Sequence, residues 1–172
     1  WVRLKHSLPR LQAIVADAEP AAILTTESLR SDLAGRAVHA LGPVAWYGTD
    51  ALIGADPACF EGRQNGQLSP PKASQLAYLQ YTSGSTSSPR GVMLSHANVL
   101  SNLGYLQRGF DCDANSSCVT WMPYFHDYGL VEGLLQPLYS GIDCYVLSPL
   151  TLLKRPHRWL ETLSRFKATH TH

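Results

Sequence analysis

Apolar positions along this chain change period repeatedly, and each change marks an element. Leu11, Ile14, Val15 and Ala18 recur at helical spacing, with Ser7 placed to cap the helix. Residues 21–25 are a short apolar run after Pro20, which predicts a buried strand. Leu29, Leu33 and Ala37 predict a second amphipathic helix, and residues 44–47 a second strand. Strand, helix, strand is the repeating unit of a mostly parallel sheet. Periodicity is then lost from about Gly54 to Ser74, an interval holding Pro57, Gly62, Gly66, Pro70 and Pro71. A loop of that length inside a compact domain reads as a crossover or a functional segment.

The pattern resumes with strands at residues 76–81 and 91–94. Ser95 caps a helix that carries Val99, Leu103, Leu106 and Phe110 on one face. Residues 118–122 form a strand, and Asp127 caps a helix with Leu130, Val131, Leu134, Leu135 and Leu138 as its apolar positions. Pro137 falls inside that helix and removes one donor. The acceptor it leaves over belongs to Gly133, whose missing side chain gives the ring room, and Gly141 ends the helix. A strand at 144–147 follows, then a helix from near Pro156 with Trp159, Leu160, Leu163 and Phe166, and another strand should begin at 169–172. The predicted class is α/β, a mostly parallel layered sheet with flanking helices. Its predicted organisation is a first βα sub-block at 1–53, a crossover loop at 54–75 and a second sub-block at 76–172.

Composition narrows the function classes. With 172 residues, 45% hydrophobic, 16% charged and a net charge of +1, the chain has enough apolar mass for a core and no excess charge. No basic stripe with interleaved aromatics argues for nucleic acid. Lys154, Arg155, His157 and Arg158 form a mild basic cluster, read as the solvated start of a helix. No run of 18 apolar residues and no signal-peptide pattern is present, which points to a cytoplasmic protein with no membrane span. The first residue is Trp1, as expected of a sequence that begins inside a longer protein. Cys59, Cys112, Cys118 and Cys144 form no C-x-x-C pair and read as reduced, part-buried thiols. His170 and His172 share a strand face but have no companion ligands, so no metal site is expected.

Candidate chemistry lies in two segments. Between Tyr81 and Gly91 the chain places Thr82, Ser83, Ser85, Thr86, Ser87 and Ser88 around Gly84, with Arg90 close behind. Each hydroxyl can donate to an oxyanion, Gly84 can take positive φ so that successive amides converge, and a guanidinium grips phosphate through two donors. The loop leads into a strand, so it is not a Walker loop. Composition alone favours an ordinary hairpin turn. The second segment is Trp121-Met122-Pro123-Tyr124-Phe125-His126-Asp127-Tyr128-Gly129-Leu130, between a strand and a helix. Taken alone, His126 reads as an imidazole packed on Phe125 and bonded to backbone.

The order of residues adds a resemblance. Tyr81-Thr82-Ser83-Gly84-Ser85-Thr86 followed by Pro89-Arg90-Gly91-Val92 closely resembles the phosphate-loop signature of the adenylate-forming superfamily, Y-T-S-G-S-T-x-x-P-K-G-V, with Arg90 where lysine is common. His126-Asp127-Tyr128-Gly129-Leu130, continued by Gly133, Leu135-Gln136-Pro137-Leu138-Tyr139 and Gly141, resembles the H-D-M-G-L…G-x-L-Q-P-L-Y-x-G pattern of fatty acyl-AMP ligases, with Tyr128 for the usual methionine. The resemblance implies a fragment of the N-terminal domain of an enzyme that uses ATP and Mg2+ to turn a fatty acid into an acyl adenylate. It also implies that the acyl group then passes to the phosphopantetheine thiol of an acyl carrier protein. By position, Thr82, Ser83, Gly84, Ser85 and Thr86 would contact the phosphates of ATP, and Arg90 would order the loop or hold the leaving pyrophosphate. His126 would orient the acyl carboxylate, and Tyr128, Gly129 and Leu130 would border the acyl tunnel. In such enzymes the adenine segment, the ribose Asp, the magnesium Glu and the C-terminal lysine follow these segments beyond residue 172, so the chain alone is expected not to catalyse adenylation. Two other readings are an acyl-CoA synthetase using CoA as acceptor and a non-catalytic adenylation-fold scaffold in a polyketide or peptide synthase. The intact run from Thr82 to Thr86 argues against the scaffold.

Overall fold

The first helix, α1 (Val2–Ala18), begins before its apolar periodicity does, so Ser7 and Pro9 lie inside it and Ser7 is not its cap. In the computed structural model, residues 2–33, 39–52, 70–82 and 89–171 are described. They divide into two compact units, residues 1–72 with 78–93 and residues 73–77 with 94–172.

In the first unit, β1 (Ala22–Thr25) and β2 (Ala45–Gly48) pair in parallel, with α2 (Glu27–Leu33) in the connection between them. The Leu33 and Leu41 side chains are buried there, whereas Ala37 of the expected helix lies outside the described residues. A four-residue helix, α3 (Thr49–Leu52), follows β2 directly. Most of the aperiodic stretch expected at 54–74 also lies outside the described residues.

β3 (Leu76–Thr82) and β4 (Arg90–Ser95) hydrogen-bond to each other. Within the first unit the Tyr81 hydroxyl at the end of β3 donates to Asp17 of α1 at 2.5 Å, and this bond raises the phenol pKa. Gly91 lies under the same ring: a Cβ there would come within 2.9 Å of Tyr81 Cζ. The strand that enters the hydroxyl-rich loop is therefore fixed at its last turn by its own aromatic side chain.

The second unit is built on β5 (Ser117–Thr120), which ends two residues before the strand that periodicity predicts. β6 (Asp143–Val146) and β7 (His170–Thr171) flank it, both parallel, in the order β6-β5-β7. Parallel strands covered on both faces read as continuous apolar runs, and Cys118, Val119 and Thr120 are the most buried side chains, at 2%, 0% and 1% exposure. α4 (His96–Gly109) precedes β5. Ser95 caps it as expected, accepting from the Asn98 amide while Asn98 reaches back to the Ser95 amide. The next two amides, of His96 and Ala97, go to the carbonyls of Gln75 and Ala73.

The helix predicted from Asp127 is interrupted. It runs as α5 (Asp127–Leu130), a π-turn (Val131–Leu135) and α6 (Gln136–Ser140), closed by Gly141 at φ 66°. The Gln136 amide bonds to the Val131 carbonyl, five residues back, so the ladder slips just ahead of Pro137, where a donor is missing in any case. Between β6 and α8 (His157–Phe166) the chain forms a further helix, α7 (Pro149–Lys154), that periodicity does not predict. Phe166 stacks on Tyr145 of β6 at 3.8 Å between ring centres. Cys112, Cys118 and Cys144 are free thiols, and Cys59 lies outside the described residues. Among the described residues no helix is long and apolar enough to cross a membrane.

Candidate functional site

The strand order places a ligand crevice before any side chain is considered. The chain leaves β5 toward β6, then returns past β5 to form β7 on its other side. Connections that depart in opposite directions create a switch point, and α/β sheets bind ligands in the crevice at the carboxyl ends of such strands. The segment that leaves the carboxyl end of β5 is residues 121–126, which delivers His126 to the start of α5.

His126 is the N-cap residue, in extended conformation at φ −95° and ψ 145°. The expected cap was Asp127. It stands one position later, in the helical turn, because the chain is still extended at His126. Both side chains nevertheless act on the same amide. Asp127 Oδ1 accepts from the Tyr128 N–H at 2.7 Å, and His126 Nδ1 lies 3.3 Å from that nitrogen and 2.7 Å from Asp127 Oδ1. A ring nitrogen that donates to the carboxylate cannot also accept from the amide, so the two imidazole contacts belong to different tautomers. The shorter, charge-assisted contact favours Nδ1–H donating to Asp127. Nδ1 accepting from the Tyr128 amide instead leaves Nε2–H as a donor. The imidazole is 61% exposed, and Phe125 beside it is 82% exposed with its ring edge-on to Tyr124. His126 is thus held by its neighbour's carboxylate and is not a packed core histidine.

Gly129 allows this turn to exist. It is buried, and a Cβ would stand 2.7 Å from the Pro123 carbonyl carbon. The first turn of α5 therefore rests directly on the backbone of the loop that brought the chain there. Gly133, one turn on, packs on Thr120, whose Oγ1 would be 3.1 Å from an added Cβ. Tyr128 projects the other way. With Asp127, Val131, Glu132 and the α4 residues Asn102 and Leu106 it lines a cleft of about 300 Å3. Burial, with Glu132 one turn away, raises the Tyr128 phenol pKa. Leu130 is half-buried. Of the three residues expected at an acyl tunnel, Tyr128 faces the cleft, Gly129 faces backbone and Leu130 does not line the cleft. Asn102 was missed. Its signal was its position four residues before Leu106, on the same helical face.

The second candidate segment is described only at its ends. Thr82 closes β3 and Arg90 opens β4, both exposed. Ser83, Gly84, Ser85 and Thr86 lie outside the described residues. Among the described residues no three His, Cys, Asp or Glu side chains converge on one point. His170, one of the two terminal histidines, is tied by Nε2 to the Phe110 carbonyl at 2.8 Å.

Comparison with known proteins agrees with this layout. Residues 1–172 match the family described as AMP-binding enzyme. The chain is 44% identical, over 99% of its length, to the medium-chain-fatty-acid–[acyl-carrier-protein] ligase JamA of Moorena producens (strain JHB), of which it covers 28%. It is 38% identical, over 90% of its length, to the long-chain-fatty-acid–AMP ligase FadD26 of Mycobacterium marinum, of which it covers 27%. The crystal structure of fatty acyl-adenylate ligase from L. pneumophila, in complex with acyl adenylate and pyrophosphate, superposes with a TM-score of 0.80 at 30% identity, covering 95% of this chain and 27% of that one. The mixed α/β arrangement of small parallel sheets and flanking helices matches the N-terminal part of adenylate-forming enzymes.

Proposed function

Because this chain belongs to the AMP-binding enzyme family, we propose that the protein carrying it activates a fatty acid with ATP to an acyl adenylate and passes the acyl group to a carrier-protein thiol. The chain spans 28% of the Moorena ligase and 27% of the mycobacterial one, so the reading applies to a protein of the relatives' length that contains it. The observation that carries it is the placement of His126. An exposed imidazole, oriented by Asp127, leaves the carboxyl end of the central parallel strand beside a cleft with apolar wall residues.

The reaction joins two anions, a carboxylate and the α-phosphate of ATP, so donors fixed in advance must offset their repulsion. His126 supports the nucleophile side: Nδ1 is engaged at Asp127 and the Tyr128 amide, and Nε2–H, present when Nδ1 accepts from that amide, can donate to the acyl carboxylate or the new acyl phosphate. The donors for the leaving pyrophosphate come from Thr82, Ser83, Gly84, Ser85, Thr86 and Arg90, with the loop's base held by Tyr81 on Asp17. Tyr128, Leu106 and Val131 supply the apolar contact for the acyl chain, and Gly129 sets the turn that positions them.

ATP-dependent hydroxamate formation from fatty acids tests this reading in the full-length protein. Activity that is lost on His126→Ala and on Thr86→Ala supports it, and unchanged activity in both variants sinks the site assignment. Supplying CoA in one assay and a phosphopantetheinylated carrier protein in another decides the acceptor. Acyl transfer to CoA alone would replace the carrier by CoA.

A further inference from the structure

The basic cluster read from sequence as a solvated helix start does more than face water. Between α7 and α8 the chain forms a pocket of about 510 Å3 lined by Lys154, Arg155 and Arg158, by the aliphatic Leu147 and Leu150, and by Thr162. Among the described residues no acidic side chain lines it. The break between the helices brings the cations together. α7 ends at Lys154, Arg155 leaves helical geometry at φ −146° and ψ 74°, and Pro156 starts the next turn. Backbone bonds fix that corner: the Arg155 amide donates to the Thr151 carbonyl at 2.8 Å and the Arg158 amide to the Arg155 carbonyl at 3.0 Å.

Helix electrostatics explain only one of the three charges. Lys154 sits in the last turn of α7, where a cation offsets the negative end of the helix. Arg158 sits in the first turn of α8, the positive end, where a cation is unfavourable. That turn holds no acidic residue and no side chain caps it. The nearest relief is Glu161, at 3.6 Å from Arg158 Nε with both side chains more than half exposed, a pair of small value. Uncompensated positive charge around a concave wall that is partly aliphatic is the complement of an anion with an apolar part. The volume falls within the usual range for small-molecule sites.

We propose that this pocket binds a phosphate ester with an aliphatic organic portion, the phosphate on Arg155 and Arg158 and the carbon chain on Leu147 and Leu150. A guanidinium pair matches phosphate oxygens through parallel N–H bonds, which a lysine alone does not offer. The proposal does not depend on the adenylation reading.

The test is calorimetric titration of octyl phosphate into the full-length protein at low salt, with ATP present in excess so that any nucleotide site is filled. Saturable one-site binding is expected, with inorganic phosphate weaker by about tenfold for want of the apolar contact. Arg155→Gln and Arg158→Gln should each weaken octyl phosphate by about tenfold or more, the worth of a charge-assisted bond. Arg158→Lys should lose less than Arg158→Gln. Thermal unfolding of each variant, matched to the parent, keeps misfolding from imitating lost binding. Affinity unchanged in both Gln variants, or binding abolished by ATP, would overturn the proposal. Flotation with phosphatidate vesicles, lost in the same variants, would support the proposal with a lipid headgroup as the source of the ester, and octyl phosphate binding without flotation would support it with a soluble ester.

Discussion

The thiol of Cys144 donates to the carbonyl oxygen of Gly133 across 3.3 Å. That carbonyl is the one an α-helix would pair with residue 137, and residue 137 is proline. A strand side chain thus serves a helix acceptor that the helix's own backbone fails to serve in α register. The in-register neighbour of Cys144 is Cys118, whose pKa is pushed up by interaction with the Cys144 thiol and by burial. Cys144→Ala should destabilise the protein by about 1–3 kcal/mol, from the deprived acceptor and the small void. Cys144→Ser, which keeps a donor, should recover part of that loss. Urea unfolding of the two variants checks the difference, and equal losses would show that only volume matters.

His126 and Asp127 divide two tasks that sequence alone assigns to neighbouring positions. The carboxylate holds the Tyr128 amide and the imidazole, and in the proposed reading the imidazole meets the substrate. Asp127→Ala should therefore cost about 1 kcal/mol of stability, as a lost helix-start acceptor does. His126→Ala should leave the unfolding midpoint nearly unchanged and lower adenylation by about a hundredfold, at the lower end of what a positioned imidazole contributes. Pyrophosphate exchange measured alongside thermal unfolding separates the two. The reverse pattern would transfer the catalytic contact to Asp127.

Gly129 has no room for a side chain against the Pro123 carbonyl group. Gly129→Ala should shift the first turn of α5, at a cost of about 1–3 kcal/mol, the usual range for overpacking against an unyielding neighbour. Because that turn carries His126 and Tyr128, kcat should fall along with stability. Melting and steady-state rates report both, and a variant with full activity would show that the turn adapts.

Acid stability should depend in part on Asp113. Its carboxylate accepts from the Asn115 amide and from Ser116, and these bonds hold its pKa below the ordinary range in the folded state. A depressed carboxylate stabilises the fold above its unfolded pKa and loses that contribution as pH falls. The effect should fade below about pH 4. Asp113→Asn should accordingly lower stability at neutral pH and flatten its decline toward acid. Unfolding curves between neutral and acid pH test the slope, and parallel profiles would refute the assignment.

Which of these features the sequence announces depends on how far apart the interacting groups lie. The Ser95 cap and the stop at Gly141 are written within one helical turn each, and both are found where periodicity and side-chain chemistry put them. The parallel pairing of β1 with β2 also follows from a local alternation of strand and helix. Ser7 misleads because the helix already begins at Val2, five residues before it. Asp127 misleads by one residue because both it and His126 can accept from the same amide. The leftover Gly133 acceptor is visible in the spacing to Pro137. Its partner is not, since Cys144 reaches it only through the pairing of β6 with β5. The basic cluster is visible as charge and invisible as a pocket, because the concavity comes from the turn at Arg155 and not from any periodicity.

β5 is the most deeply buried strand of its unit, and both of its hydrogen-bonding partners come later in the chain. A chain growing from its amino end carries Cys118, Val119 and Thr120 as a bare two-edged strand until β6 is made. One edge then stays open until His170 and Thr171 emerge. At ordinary elongation rates that interval is on the order of seconds, long compared with local helix formation. Docking β7 is thus the step that covers the second edge of β5, and a product cut short of His170 would present its most buried strand as a free edge for other chains.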